Sequence, residues 1–450
     1  MRHLLFMILL LPLFIFSACA NHMQNNKEYE NALNYCSKNF IANNMKKINE
    51  NNDVIYVGLN AGAVSRHCGD FNTSNYFFDI AENSYKYDVD LENFASKGTK
   101  TIATTLLNDT IVDYDGSLYE RIMVNIYKGL NFMSLDDYQN ARVEFNRALM
   151  RQDKAKEYFA SQIAKNRKDL QEAKKDPNYK ANMQTNFKTI QNEYEKWFEE
   201  FQTTKNFTNP YATYMASLFF FLDQDYRKAN SLFREVASVD AKKPEIITQA
   251  KVFKQYANAI KPDKLKKYIF LVYEDGQNAV KEEFAFTLPF IVDKKVVTAS
   301  IAIPKLAKRE ASYGGLKLND KKSVLLVNFD DIIATEFKID MPSVVTKAIA
   351  STIIKTALNV TVAENDSTGG WLALASSVVT SLSTRADVRS WRTLPKSANV
   401  VMVPNDGLVK IDTLNSQNLF KQKVSKNKNI LVFVRSFSPN TKPQIEIIEK

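Results

Sequence analysis

Few residues in this 450-residue chain are placed to do chemistry, and the first is Cys19. It follows Met1-Arg2-His3, an apolar run from Leu4 to Phe16, and the small pair Ser17-Ala18. The run is too short for a permanent membrane span and has the length of a signal-peptide core. Small residues before a cysteine let the chain lie extended in a peptidase groove, and the thiol can then form a thioether with a diacylglycerol. The pattern is that of a bacterial lipobox, with Phe16 where Leu is commoner. The competing reading is an ordinary secretory signal beside an incidental cysteine. Cleavage before Cys19 would remove the signal peptide, residues 1–18, and leave a lipidated tether over 19–26. One acyl chain holds weakly, whereas two or more anchor stably. Ala20, with no Asp in its place, favours the outer membrane, with the body facing the periplasm and the leaflet left open.

Cys36 and Cys68 are the pair that remains after lipidation. An oxidising periplasm makes them candidates for a disulfide. Two separate buried thiols is the other reading, because both sit in helical patterns and bridge geometry is strict. His67 adjoins Cys68, which raises a Cys–His nucleophile or a metal site. Neighbours on a helix point about 100° apart, however, and no further ligands are spaced for a metal. His22 falls on the tether. Asp136-Asp137 and Glu282-Glu283 are adjacent carboxylates of a kind that acidic turns and solvated strands carry more often than active sites. No glycine-rich phosphate loop, G-x-S-x-G elbow or H-E-x-x-H helix occurs. The sequence names no catalytic residue, metal ligand, cofactor or small-molecule substrate.

The most distinctive peptide is Arg385-Ala386-Asp387-Val388-Arg389-Ser390-Trp391-Arg392-Thr393-Leu394-Pro395. In an extended chain Arg389 and Trp391 share one face and Arg392 takes the other. Arginines around a tryptophan can bind an acidic partner or an aromatic ring, which makes Arg389, Trp391 and Arg392 candidate partner-binding residues. The structural reading, which we favour, buries Trp391 in a core and pairs the arginines with Asp387 or neighbouring acids.

The elements that would position these residues change near Pro262. Before it, apolar residues recur at helical spacing, which predicts a helical domain over 27–262. Within it, Gly129, Phe132, Asp136, Tyr138, Ala141, Phe145 and Ala148 have the spacing of a tetratricopeptide repeat, a helix pair of about 34 residues. Small residues let the two helices approach, and aromatics fill the gap to the next pair. The frame recurs earlier as Gly62, Ser65, Gly69, Phe71, Ser74, Phe78 and Ala81. It recurs later as Ser217, Phe220, Gln224, Tyr226, Ala229, Phe233 and Val236. A degenerate helical unit is expected between the first two copies. A charged insertion, about 151–204, is expected between the last two as one or two long solvated helices.

After Pro262 the chain turns β-rich, and 263–450 is predicted as an α+β domain. Strands are expected at Tyr268–Tyr273, Glu283–Pro289, Val296–Ile303, Val324–Phe329, Val400–Val403, Leu408–Ile411, Ile430–Val434 and Gln444–Ile448. Helices are expected at about Asp331–Val362 and Trp371–Thr384, with a loop over Asn365–Gly370 between them. The whole chain is thus an α+β protein with a helical-repeat half before a β-rich half. No stretch after the signal is apolar enough to span a membrane. Val344–Val362 comes closest, and Lys347 and Lys355 interrupt it.

The formal net charge is +10. A basic surface can meet anionic headgroups, peptidoglycan carboxylates or nucleic acid, and export argues against the last. The lysines are scattered, and Asn, Lys and Ile are abundant together, as in AT-rich genomes. Composition alone therefore implies no polyanionic partner.

Cys19, the peptide Tyr114-Asp115-Gly116-Ser117-Leu118-Tyr119-Glu120-Arg121, and Arg389-Ser390-Trp391-Arg392-Thr393-Leu394-Pro395 together resemble a group of tetratricopeptide-like lipoproteins of proteobacteria. Composition points to a Campylobacter-like source. The resemblance covers nearly the whole mature chain, is specific in the last motif and loose elsewhere. It implies a cell-envelope protein and supplies no catalytic residue. The expected function is a non-enzymatic, membrane-anchored scaffold that binds an envelope protein. The alternatives are an accessory factor for peptidoglycan synthesis or envelope assembly, and a glycan-acting enzyme with paired carboxylates in a cleft.

Overall fold

The computed structural model describes residues 28–33, 35–89, 114–173, 177–204, 209–239, 242–292, 295–364 and 385–450. The protein is α+β, with helices in its N-terminal part and sheets in its C-terminal part. A helical stretch at 28–33 is followed by α1 (Lys38–Asn49), α2 (Val54–His67), α3 (Phe71–Val89), α4 (Leu118–Ser134) and α5 (Tyr138–Ala173). Next come α6 (Pro177–Phe198), α7 (Pro210–Leu222), α8 (Tyr226–Val239) and α9 (Pro244–Asn258). Among the described residues, no helix is long and apolar enough to cross a membrane. The degenerate unit expected between the first two repeat frames falls largely outside the described residues, as does the helix expected at Trp371–Thr384.

Three helix pairs, α2–α3, α4–α5 and α7–α8, are closed by the same turn. The turn residues Gly69, Asp136 and Gln224 all have positive φ, at 77°, 58° and 64°. Each following residue donates its backbone N–H five positions back: Asp70 to Ser65, Asp137 to Phe132, and Asp225 to Phe220. That is the Schellman arrangement, which satisfies carbonyls left open at a helix end. The same three aspartates then cap the second helix, accepting from the backbone N–H of Thr73, Asn140 and Lys228. Inside each pair a small residue faces the second helix. A Cβ on Gly62 would stand 2.6 Å from the Phe78 ring, and one on Gly129 would stand 2.8 Å from the Phe145 ring. The third copy has Ser217 at this place, and its Oγ donates to the Ala229 carbonyl across the pair.

The C-terminal part builds a sandwich. Its strands are β1 (Tyr268–Asp275), β2 (Val280–Val292), β3 (Lys295–Ala307), β4 (Leu316–Leu318), β5 (Lys321–Lys322) and β6 (Val324–Asn328). Then follow α10 (Phe329–Glu364), β7 (Ser397–Pro404), β8 (Leu408–Thr413), β9 (Asn418–Lys423), β10 (Ile430–Ser436) and β11 (Gln444–Glu449). A five-stranded sheet has the order β11-β10-β1-β7-β6, and a four-stranded sheet has the order β5-β4-β8-β9. Central β1 runs parallel to β10 and antiparallel to β7.

Successive residues on a strand face opposite sides, so a strand covered on both faces is apolar throughout. Ile269, Leu271 and Tyr273 accordingly join Val409 and Ile411 in the core between the sheets. Phe270 and Val272 face the other way, into one continuous core that also contains Tyr127, Phe145 and Phe221 from the helices. The two halves therefore share a hydrophobic core. The layer order is helices, five-stranded sheet, four-stranded sheet.

The charged insertion is helical, as the sequence predicts, but it is not simply solvated. Ile190, Tyr194 and Phe198 of α6 are buried, and Trp197 packs on Phe284 of the β2–β3 ribbon at a centroid distance of 4.9 Å. Asn182 of α6 bonds both backbone groups of Ile291, and Asn186 donates to the Pro289 carbonyl. Two side chains one helical turn apart thus finish the edge of β2 and leave fewer backbone groups open for another strand.

Candidate functional site

A polar interior lies where the helices meet the sheet, and the Arg389–Arg392 peptide is its centre. The Trp391 side chain is fully buried, with ring contacts to Phe78 and Tyr127 at 5.5 and 5.7 Å. Its backbone N–H donates to Glu120 Oε1 at 2.7 Å and its indole N–H to Thr393 Oγ1 at 2.8 Å. Arg389 clasps Asp387 through two nitrogens, at 2.9 and 2.8 Å, and reaches Asp53 of the α1–α2 turn at 2.5 Å. Burial by itself would raise the Asp387 carboxyl, but the hydrogen bonds and charge of Arg389 outweigh it and hold the group below its ordinary value. Arg392 donates its backbone N–H to Asn60 and its guanidinium to Glu30, which Arg309 also engages. The docking expectation for Arg389, Trp391 and Arg392 is corrected in kind. Their partners are residues of this chain itself, from Asp387 and Thr393 nearby to Glu30, Asp53, Asn60 and Glu120 far away, and Trp391 presents no surface to an outside molecule.

Glu120 explains why the Tyr114–Arg121 peptide and the arginine peptide belong together. Its carboxylate accepts from the Tyr114 hydroxyl, the Ser117 backbone N–H and the Trp391 backbone N–H. The bond to Ser117 is half of a capping box that starts α4, and the spacing Ser117–Glu120 is its signature. Glu336 of α10 covers the next two orphan donors, the N–H groups of Leu118 and Tyr119, at 2.7 and 3.1 Å. Burial, with Asp340 nearby, pushes Glu336 up to about 8 despite those two hydrogen bonds.

A second seam surrounds Glu274 of β1. It accepts from the hydroxyls of Tyr127 (2.9 Å) and Tyr211 (2.6 Å), and Arg435 stands 3.7 Å away. Burial raises the Glu274 carboxyl against the pull of Arg435 and the two tyrosines. Nearby, Arg66 bridges Asn131 of α4 and Glu446 of β11 at 2.6 and 3.0 Å. A cavity of about 20 Å³ lies among Arg66, His67, Tyr127, Glu274 and Arg435. That is room for about one water. Burial and the charges of Arg435 and Arg66 push the imidazole of His67 down to about 4. Its Nδ1 is buried without a hydrogen-bond partner among the described residues.

Inside the repeats, buried Lys128 pairs with buried Glu82 and Glu144 at 2.6 and 3.0 Å and with exposed Asp79 at 2.8 Å. Arg151 also reaches Glu82. Sequence reasoning missed this knot. Its signal was Lys128 beside Gly129, at the close contact between the paired helices.

The remaining candidates are dispersed. Cys36 and Cys68 are joined, with their Cα atoms 5.5 Å apart. Cys68 therefore offers no thiol to His67, and a Cys–His nucleophile is ruled out in this state. Asp136-Asp137 form the repeat turn, and Glu283 accepts from Arg385 and the Ala386 backbone N–H. Cys19 and His22 lie outside the described residues. A more open hollow, about 420 Å³, runs along one face of α6 beside Thr189, Asn192, Glu193 and Lys196. A single helix face brings few groups to converge on a substrate. Comparison with family models, with curated proteins and with solved structures finds no match to this chain.

Proposed function

We propose that this protein is a lipid-anchored scaffold of the bacterial cell envelope that binds another envelope protein through its helical repeats. The observation that carries the reading is the triple hairpin: three helix pairs with the same turn, the same cap and the same small-residue contact. Arrays of such units stack into extended surfaces suited to a protein partner, and the spacing is of the tetratricopeptide type. The inner helices α2, α4 and α7 are buried under the chain's own sheet. Partner contact therefore falls to the outer row, α3, α5 and α8, where Tyr76, Val143, Met150 and Val239 are exposed. The polar interior is read as a lock that keeps sheet and repeats in one rigid body. Lipid on Cys19 fixes that body to the outer membrane, facing the periplasm.

The test places a photo-crosslinking residue at Val143, at Met150 or at Lys421 on the far sheet, in intact cells. A discrete adduct from the α5 positions supports the proposal. Adducts only from Lys421, or none from α5, refute it. Cys19→Ala in the same cells should abolish palmitate labelling and let a high-salt wash release the protein from the membrane.

A further inference from the structure

Lysines far apart in the sequence meet on the outer face of the four-stranded sheet. Register sets Lys317 opposite Lys322, Lys410 opposite Lys421, and Leu408 opposite Lys423. Residues directly opposite in an antiparallel pair share a face. Val409 and Ile411 point into the sandwich core, so these five lysines line the solvent side. Lys426 and Lys428, both exposed, extend it past the end of β9. Asn405 ties that loop to the start of β1: its side chain donates to the Ser425 and Lys428 carbonyls and its backbone N–H to the Lys267 carbonyl. Lys266 and Lys267 are thereby brought to the same corner. The fold thus gathers charges that look scattered along the chain.

The acids do not balance them. Asp320 and Asp412 both engage Lys410. Among the described residues, no carboxylate pairs with Lys421, Lys423, Lys426 or Lys428. The cations are also all of one kind, since Arg is absent from 313–328 and from 396–434. Lysine is a flexible point charge without the planar fork that reads a phosphate or base edge in fixed geometry. Among the described residues no aromatic ring of these strands faces solvent for stacking bases, because Phe420, opposite Ile411, turns inward. Several flexible cations of one sign, without matching carboxylates, fit a layer of negative headgroups.

We propose that the outer face of the β5-β4-β8-β9 sheet is a docking surface for the anionic headgroups of a lipid bilayer. This contact is separate from the Cys19 lipid and lies on the opposite side of the molecule from the outer repeat helices.

The probe is co-sedimentation of a lipid-free chain, residues 20–450, with vesicles of phosphatidylcholine alone or mixed with phosphatidylglycerol. Binding is expected only to the mixed vesicles, and it should fall as salt rises. The variant Lys421→Glu, Lys423→Glu, Lys426→Glu, Lys428→Glu should lose at least ~tenfold in partitioning. The matched variant Lys188→Glu, Lys196→Glu, Lys251→Glu, Lys254→Glu, with the same charge change on α6 and α9, should keep it. If the first variant fails to fold, replacing the same four lysines with Gln reads the same loss without added repulsion. Equal binding to both vesicles, equal loss in both variants, or tighter retention on peptidoglycan or a single-stranded oligonucleotide than on vesicles overturns the proposal.

Discussion

Each repeat hairpin is closed by residues a few positions apart, whereas the Arg389–Arg392 peptide is held by Glu30, Asp53, Asn60 and Glu120 from the other end of the chain. The hairpin turns reuse one set of backbone bonds and tolerate Gly, Asp or Gln in one place. The peptide allows no such exchange, because a fully buried indole and a buried guanidinium each meet particular partners. Local closure makes copies that can vary, while long-range closure fixes how the copies sit on the sheet. Substitutions in the two regions should therefore differ in size and in reach.

The largest effect is expected at Trp391. Trp391→Ala removes a fully buried ring packed on Phe78 and Tyr127 and should cost about 3–5 kcal/mol. Sheet and helices share one core, so urea unfolding followed by circular dichroism should shift as a single transition. Two separate transitions would show that the clasp does not couple the halves. Arg392→Ala is the internal control. Its pair with Glu30 is only part-buried, and its loss should cost about 1 kcal/mol or less.

Within the repeats the effect is intermediate and should be reproducible. Gly129→Leu would press a side chain into the Phe145 ring, and Gly62→Leu would do the same to Phe78. Overpacking of this kind costs about 1–3 kcal/mol. The two midpoints should fall together. A large loss at one position and none at the other would mean that the pairs are not equivalent.

How much could be read in advance follows the same division. The three repeat frames and the start of β1 were legible, because each depends on spacing within one short segment; the Ser117–Glu120 capping box has the same local spacing but was not singled out. The α10 span was found within two residues at each end. The short strands β4 and β5 and edge strand β9 were missed. Lys317-Leu318, Lys321-Lys322 and Asn418–Lys423 are rich in lysine and carry too few apolar residues to signal a strand. The Arg389–Arg392 peptide was conspicuous as sequence, and burial of Trp391 was the favoured reading. Its acids Glu30, Asp53 and Glu120 could not be named, because pairing across the whole chain leaves no local periodicity. The same limit hid the Glu274 seam and the Lys128 knot.

Glu336 gives a pH test of how the seam is held. Its carboxyl is pushed from the ordinary 4.5 to about 8, chiefly by burial. Between those values the folded chain keeps a proton that the unfolded chain has lost. This group's contribution to stability is therefore greatest at low pH and is lost as pH rises towards 8. Asp340, raised to about 6, acts in the same direction over a narrower range. Glu336→Gln should flatten the decline in melting temperature between pH 5 and 8. A parent whose melting temperature rises over that range as steeply as the variant's would show that Glu336 is ionised when it caps α4.

The smallest effect is also the sharpest test of the shared turn. Gly69, Asp136 and Gln224 occupy the same left-handed position at the end of the first helix of each pair. Glycine adopts that conformation freely, Asp visits it with some ease, and a residue such as Gln meets a clash at Cβ worth roughly 1–2 kcal/mol. Replacing Gln224 with Gly relieves the clash but loosens the unfolded chain, which takes back about 0.4–1 kcal/mol. Gln224→Gly should therefore stabilise the protein by about 0.5–1 kcal/mol, and Asp136→Gly by less. Gly69→Ala should destabilise it, although a Cβ there meets open space, because its φ of +77° strains any side chain. Thermal melts of the three variants should fall in that order. If Gln224→Gly instead lowers the melting temperature, the third turn is held by contacts of the Gln224 side chain, and the three hairpins do not share one closing device.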